Sequence, residues 1–164
     1  MAQPISIANA QLGFRNFSGL EGAYNREGDR NFVIFLDPEY ATQLADEGWN
    51  VKFPKVDDEP QDPEDTFEKQ PYLQVTVAFN KFPARVFTVV YDPENPNANP
   101  EGYTTVQLNE DTVSILDTAL IKNADLVINP YNWTVNGRSG IKAYLKNLYV
   151  ELDDSGFVNK YGVI

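Results

Sequence analysis

The chain has 164 residues, 42% of them hydrophobic and 13% aromatic, and a formal net charge of −11. That apolar content suits one packed domain and argues against wholesale disorder. No apolar run approaches the roughly 18 residues of a membrane span, and MAQPISIANAQLG has neither the basic nor the apolar region of a signal peptide. There is no cysteine, hence no disulfide framework and no thiolate chemistry. There is no histidine either, which removes the commonest general base and the commonest zinc ligand. The composition therefore points away from an enzyme and from any cofactor or metal, and a reducing cytoplasm is the natural setting. The triplets Asn16-Phe17-Ser18 and Asn132-Trp133-Thr134 match the glycosylation pattern by chance on this reading.

In chain order, Ile5 to Phe17 supplies a first strand. Asn31 to Leu36 is an apolar run too short for an ordinary helix and reads as a second. A helix follows. Asp37 is a good N-cap, Pro38 suits the first helical position and Glu39 complements the helix dipole. Tyr40, Ala41 and Leu44 form its apolar stripe, and Gly48 ends it. Val56 to Pro71 is a proline-containing loop. Tyr72 to Phe79 alternates, with Leu73, Val75, Val77 and Phe79 opposite Tyr72, Gln74 and Thr76. Arg85 to Tyr91 is β-branched and aromatic. Asp92 to Gly102 reads as a second loop, and Asn109 opens a short helix over Val113 to Leu116. Asp125 to Val135 and Gly140 to Leu152 flank the turn Asn136-Gly137-Arg138-Ser139, where Asn-Gly is a hairpin signal.

The last strand changes parity. Ile141, Ala143 and Leu145 share one face, but the later apolar set is Leu148, Val150 and Leu152. A period-2 strand needs a bulge or strong bend near Lys146 to Leu148 to do this. Small barrels coil their strands in this way. The expectation is an all-β fold with one or two short helices, an OB-like five-stranded barrel carrying two long loops. A small sandwich is the alternative.

The negative charge is unevenly placed. Asp57, Asp58, Glu59, Asp62, Glu64, Asp65 and Glu68 form a run with no base among them, and Asp92, Glu94 and Glu101 sit in the second loop. Without these acids the framework is close to neutral, so its cations are free to cluster. The run lacks the alternating acids and glycine of an EF-hand and reads as a solvated loop. No GxxxxGK[ST] or GxGxxG occurs.

Two constellations combine arginine or lysine with aromatic rings. The segment Arg15 to Leu36 holds Arg15, Arg26 and Arg30 among Phe14, Phe17, Tyr24 and Phe32. Guanidinium forks suit phosphate oxygens, and ring faces suit unpaired bases. The plain alternative is a hairpin loop with Phe17 and Phe32 in the core. The hairpin Tyr131 to Lys146 puts Lys142, Tyr144 and Lys146 on one face near Tyr131, Trp133 and Arg138, with no acid. Its plain alternative has Tyr144 and Trp133 capping the barrel beneath solvated lysines. Lys52, Phe53, Lys55, Lys81 and Arg85 could extend a basic groove or be ordinary strand-end cations.

NPYNWTVNGRSGIKAYLKNLYVEL (Asn129 to Leu152) resembles the closing hairpin of the single-stranded DNA-binding proteins of tailed phages. Pro130, Tyr131, Trp133, Gly140, Lys142, Leu145, Val150, Glu151 and Leu152 carry the resemblance. It implies an OB-fold that binds single-stranded DNA without sequence preference during phage replication, recombination or repair, in the host cytoplasm. Arg15, Arg26, Arg30, Lys142 and Lys146 would hold phosphates, with Lys52, Lys81 and Arg138 adding to the patch. Tyr24, Tyr131, Trp133 and Tyr144 would stack on bases. Phage replication or recombination proteins are the partners it suggests, and a homodimer is compatible. The family's long acidic tail with a terminal aromatic has no match in ELDDSGFVNKYGVI. Residues 1–152 would form the DNA-binding domain and 153–164 a short tail. The rival reading is a phage structural or host-modulating β-barrel that binds a protein, which the overall acidity suits.

Overall fold

The computed structural model describes residues 3–22, 26–54, 70–80 and 83–152. An N-terminal arm is bent into β1 (Ile5–Ile7) and β2 (Gln11–Asn16). Asn9, at φ 54°, makes the bend, a conformation that asparagine tolerates better than most residues. β3 (Arg30–Phe35) leads into α1 (Pro38–Asp46), and β4 (Val51–Lys52), β5 (Tyr72–Val77), β6 (Arg85–Tyr91) and β7 (Tyr103–Leu108) follow. A 3₁₀ turn (Val113–Asp117) precedes the long hairpin of β8 (Ile121–Val135) and β9 (Arg138–Leu152).

The strands pair in the order β1-β8-β9-β5-β3-β2, with β4 on β5, and with β6 between β9 and β7. The two ends of this path are the two halves of one arm, so the sheet curls back toward its own start. Two hydrogen bonds hold the bend against β8: Ala10 N–H donates to the Ala124 carbonyl at 2.8 Å, and Asn9 N–H to the Asp125 carboxylate at 2.9 Å. The fold is mostly β, as the sequence pattern indicates, and the curl fits the expected barrel type.

β9 carries the architecture. Its first half pairs in parallel with β5 (Val75 with Ala143, Thr76 with Tyr144), and its second half with β6, from Arg85 with Asn147 to Val89 with Glu151. Between them lies the expected parity change. Ile128 faces Leu145 and Val127 faces Asn147 across the hairpin, which leaves Lys146 as an extra residue, a β-bulge. Ile141, Ala143 and Leu145 are buried before it, and Leu148 and Val150 after it. The hairpin turn is tighter than the four residues expected. Only Asn136 (φ 51°) and Gly137 (φ 78°) lie outside the strands, the two left-handed positions that a two-residue turn requires.

α1 forms for the reasons its sequence gives. The Asp37 carboxylate accepts hydrogen bonds from the Glu39 and Tyr40 amides. Ala41 and Leu44 are buried, and half-burial together with nearby Glu47 raises the Tyr40 phenol above its usual pKa. The core gathers Phe17, Phe32, Ile34, Leu73, Ile128 and Leu148, with the Phe17 and Phe32 rings stacked at 5.0 Å. For these two phenylalanines the plain core reading holds.

The strand count exceeds both the five of the expected barrel and the six strand segments read from the sequence. Nine strands occur among the described residues, because the arm is broken in two and two strands lacked a clear signal. β4 is only two residues long. β7 is an uncharged edge strand whose mid-positions stay exposed, so its pattern lacks strong apolar alternation. β8 also begins four residues earlier than the sequence suggests.

Deleting Lys146 would turn one half of β9 inside out. Leu148 and Val150 are fully buried, and exposing each costs about 1.5–3 kcal/mol. Together this is a large part of the roughly 5–15 kcal/mol that holds a domain. Thermal denaturation of the deletion variant should show a large fall in melting temperature or no cooperative transition. An unchanged melt contradicts the register.

Candidate nucleic-acid interface

The outward-pointing residues of β3, β5, β8 and β9 form one continuous surface. Directly opposed residues in adjacent strands point to the same side, so the pairing dictates the neighbours. Tyr131 lies opposite Lys142, Asn129 opposite Tyr144, and Trp133 opposite Gly140. Across the next two ladders Tyr144 neighbours Thr76, and Thr76 neighbours Asn31. This surface floors an open groove of about 1740 Å³. It exceeds the roughly 300–1,000 Å³ of a small-molecule pocket and suits an extended ligand.

Among the described residues, six cations line the groove: Arg26, Arg30, Lys52, Arg85, Lys142 and Lys146. Asp29 and Glu110 are the described acids on its wall. The sign of the local charge is thus opposite to that of the whole chain. Lys146 reaches the groove from the bulge, and Lys142 from the regular strand before it. The Lys142 ammonium sits 5.3 Å from the centre of the Tyr144 ring, a cation–π distance. Tyr131 and Tyr144 meet edge to face, with centroids 5.6 Å apart. Tyr131 keeps 56% of its surface exposed, so its ring face is available to a ligand.

The arginines are more constrained. Arg30 donates to the carbonyls of Phe17 (3.1 Å) and Glu110 (3.3 Å), and its guanidinium lies 5.4 Å from the Phe79 ring centre. It is held at the groove edge as a fixed positive charge. Arg26 pairs with Asp29 at 3.2 Å, which offsets part of its charge. Both are weaker phosphate candidates than the two hairpin lysines.

Arg15 lies elsewhere. Its guanidinium donates to the carbonyls of Leu116 (2.9 Å) and Ala119 (2.8 Å), the end of the 3₁₀ turn. This ties β2 to the segment before β8, and Arg15 lines a separate small cleft, not the groove. Here Arg15 makes a structural contact, since carbonyls at a helical end attract a cation. Trp133 is half-buried and Arg138 is exposed at the hairpin tip; neither lines the groove. The Trp133 indole lies over Gly140, where a Cβ would come within 2.8 Å of the ring. Tyr24 and Lys81, together with Lys55, lie outside the described residues.

Sequence reasoning undervalued three groups. Arg85 appeared only as an extension of the patch, yet it lies directly across the ladder from Asn147 in the groove. Phe79, which the alternation placed with Leu73, Val75 and Val77, packs partly buried against the core and also meets Arg30 at the groove wall. The amide side chains Asn31, Asn50, Gln74, Asn129 and Asn147 add neutral hydrogen-bonding groups to the wall. Their outward parity was the available signal, but amides on a sheet face are too common to stand out.

A curled sheet with a cationic, tyrosine-floored groove defines a binder of flexible polyanions with ring faces to stack on. The sequence matches the family described as "Putative phage ssDNA-binding domain" over residues 2–164, and the chain belongs to that family. No curated protein matches the sequence. Two of the solved structures that resemble this chain share its fold. One is the single-stranded DNA-binding protein from bacteriophage Enc34 in complex with ssDNA, with TM-score 0.53 and 14% identity over 92% of this chain and 87% of that one. The other is a C-terminal truncation of the same phage protein, with TM-score 0.51 and 13% identity over 92% and 85% of the two chains. No described helix is long and apolar enough to cross a membrane.

Replacing Arg15 by Ala should cost roughly 1.5–3 kcal/mol, the range for hydrogen bonds to a charged group, read by urea denaturation. The affinity for oligo-dT should stay as it is. Weakened DNA binding in a variant of unchanged stability would return Arg15 to the interface.

Proposed function

We propose that the groove holds single-stranded DNA without reading its sequence. Phosphates lie on Lys142 and Lys146 at its centre and on Lys52, Arg26, Arg30 and Arg85 at its margins. Bases stack on Tyr131 and Tyr144. The observation that carries this reading is the gathering of six cations around a tyrosine pair in a chain of net charge −11. Lysine and arginine recognise the backbone, which is common to every sequence, and a π-face accepts any base. Among the described residues the groove wall carries two acids, Asp29 and Glu110, against six cations, and a binding role rather than catalysis fits its open form.

In this reading residues 1–152 are the DNA-binding unit and 153–164 a tail. The protein coats transient single strands in the cytoplasm of an infected host, during replication, recombination or repair. Membership of the phage ssDNA-binding family supports that setting.

Charge reversal at both hairpin lysines (Lys142→Glu with Lys146→Glu) should abolish the gel shift of oligo-dT and leave the melting curve intact. Both side chains are exposed, so folding does not depend on them. In the unmodified protein log K should fall by about 0.7 per neutralised phosphate for each tenfold rise in salt. Lys142→Ala should reduce that slope by about the same amount. Undiminished binding by the double variant would place the DNA on another face.

A further inference from the structure

The groove does not end the aromatic surface. Phe14, Phe35 and Tyr72 form a second cluster on the outer face of β2, β3 and β5, with ring centroids 6.1–6.4 Å apart. Tyr72 is on the same strand and the same side as Gln74 and Thr76, both of which line the groove. With a rise of about 3.3 Å per residue, Tyr72 lies roughly 13 Å along β5 from Thr76. Lys52, itself a groove residue, sits directly across the ladder from Tyr72. Cluster and groove are therefore one surface joined by a cation.

Phe14 is the unusual member. Its φ is +43°, in the left-handed region that a bulky residue adopts only with strain. The strain arises at an irregularity in β2, between Gly13 and Asn16. Burial does not offset it, because 67% of Phe14 is exposed. Gly13 serves the same arrangement. A Cβ there would lie 2.4 Å from the Phe35 ring, so glycine lets that ring lie on the backbone beside Phe14. A strained backbone that presents a large ring to solvent is explained by a ligand better than by folding.

The opposite flank offers a comparison. Phe87 and Tyr149 are stacked on each other at 4.9 Å, beyond Arg85. Asp125 faces Tyr149 across the ladder, and Glu151 faces Val89. Glu151 pairs with Lys122 at 3.7 Å, and Asp125 is a second carboxylate beside those rings, so this flank favours a phosphate backbone less than the one with Lys52. Of the two flanks, the one with Lys52 is the better continuation.

We propose that Phe14, Phe35 and Tyr72 form a second stacking station, where unpaired bases of a strand already held in the groove are received past Lys52. The proposal rests on the groove reading, and it makes the binding site longer than the groove. Phe14 is its outermost ring, and the backbone strain at Phe14 serves binding.

The test titrates the full chain with oligo-dT of about 5 and about 15 nucleotides, the two ends of the usual range for one such fold. Phe14→Gly removes the ring and relieves the strain, whereas Phe14→Trp keeps a ring in place. Phe14→Gly should weaken binding of the longer oligomer by roughly 5- to 150-fold, the contribution of one stacked base. Binding of the shorter oligomer should not change, which also shows that the variant is folded. Phe14→Trp should restore the longer oligomer's affinity. Equal effects on both lengths, or none on either, would overturn the second station and leave the groove standing. Failure of the unmodified protein to bind the shorter oligomer would count against the groove, and the second station would fall with it.

Discussion

The structure depends on one extra residue in one strand. Lys146 interrupts the pleat of β9, so that the same strand buries Ile141, Ala143 and Leu145 beside β5 and then Leu148 and Val150 beside β6. Without that change of side the sheet could not keep both halves of β9 facing one core while curling. The bulge also has a functional consequence. An unpaired residue at the bend is a lysine, which the same geometry delivers to the outer groove. Fold and binding surface are therefore set at one position, and Lys142 and Tyr144 owe their outward orientation to the regular alternation that precedes it.

Net charge is a poor guide to what such a surface binds. The chain is strongly acidic, yet ten of its 24 acids lie in two connections between strands, while among the described residues the groove collects six cations against two acids. Within a Debye length of about 8 Å at physiological salt, a phosphate in the groove experiences mainly its immediate neighbours. The aromatic residues divide along similar lines. Phe17 and Phe32 are spent on the core, whereas Tyr131, Tyr144 and the Phe14 cluster stay at the surface, where no folding requirement explains their exposure.

Much of this was legible in the sequence. The parity change named the bulge, Asn-Gly named the hairpin turn, and Asp37-Pro38 named the start of the helix, each because the signal is local and has one physical solution. The alternation of Lys142 and Tyr144 beside Tyr131 likewise put the centre of the groove on the page. What was not legible was non-local. Nothing near Arg15 in sequence indicates that the carbonyls of Leu116 and Ala119 lie within reach of its guanidinium, about a hundred residues away. Trp133 stood in the same tyrosine-rich segment as Tyr131 but is drawn down onto Gly140. β7 escaped notice because an exposed edge strand needs no buried face to shape its pattern. Phe14 was read as one more aromatic among arginines, since a positive φ leaves no mark on a phenylalanine codon.

The central claim is that single-stranded DNA lies on the outer face of β3, β5, β8 and β9. An amide-resonance NMR titration of the full chain with oligo-dT maps that face directly. Shifts should concentrate at Thr76, Arg85, Asn129, Tyr131, Lys142, Tyr144 and Lys146, with little change around Arg15, Leu116 and Ala119. Shifts centred on the cleft beside the 3₁₀ turn, with the hairpin unaffected, would contradict it.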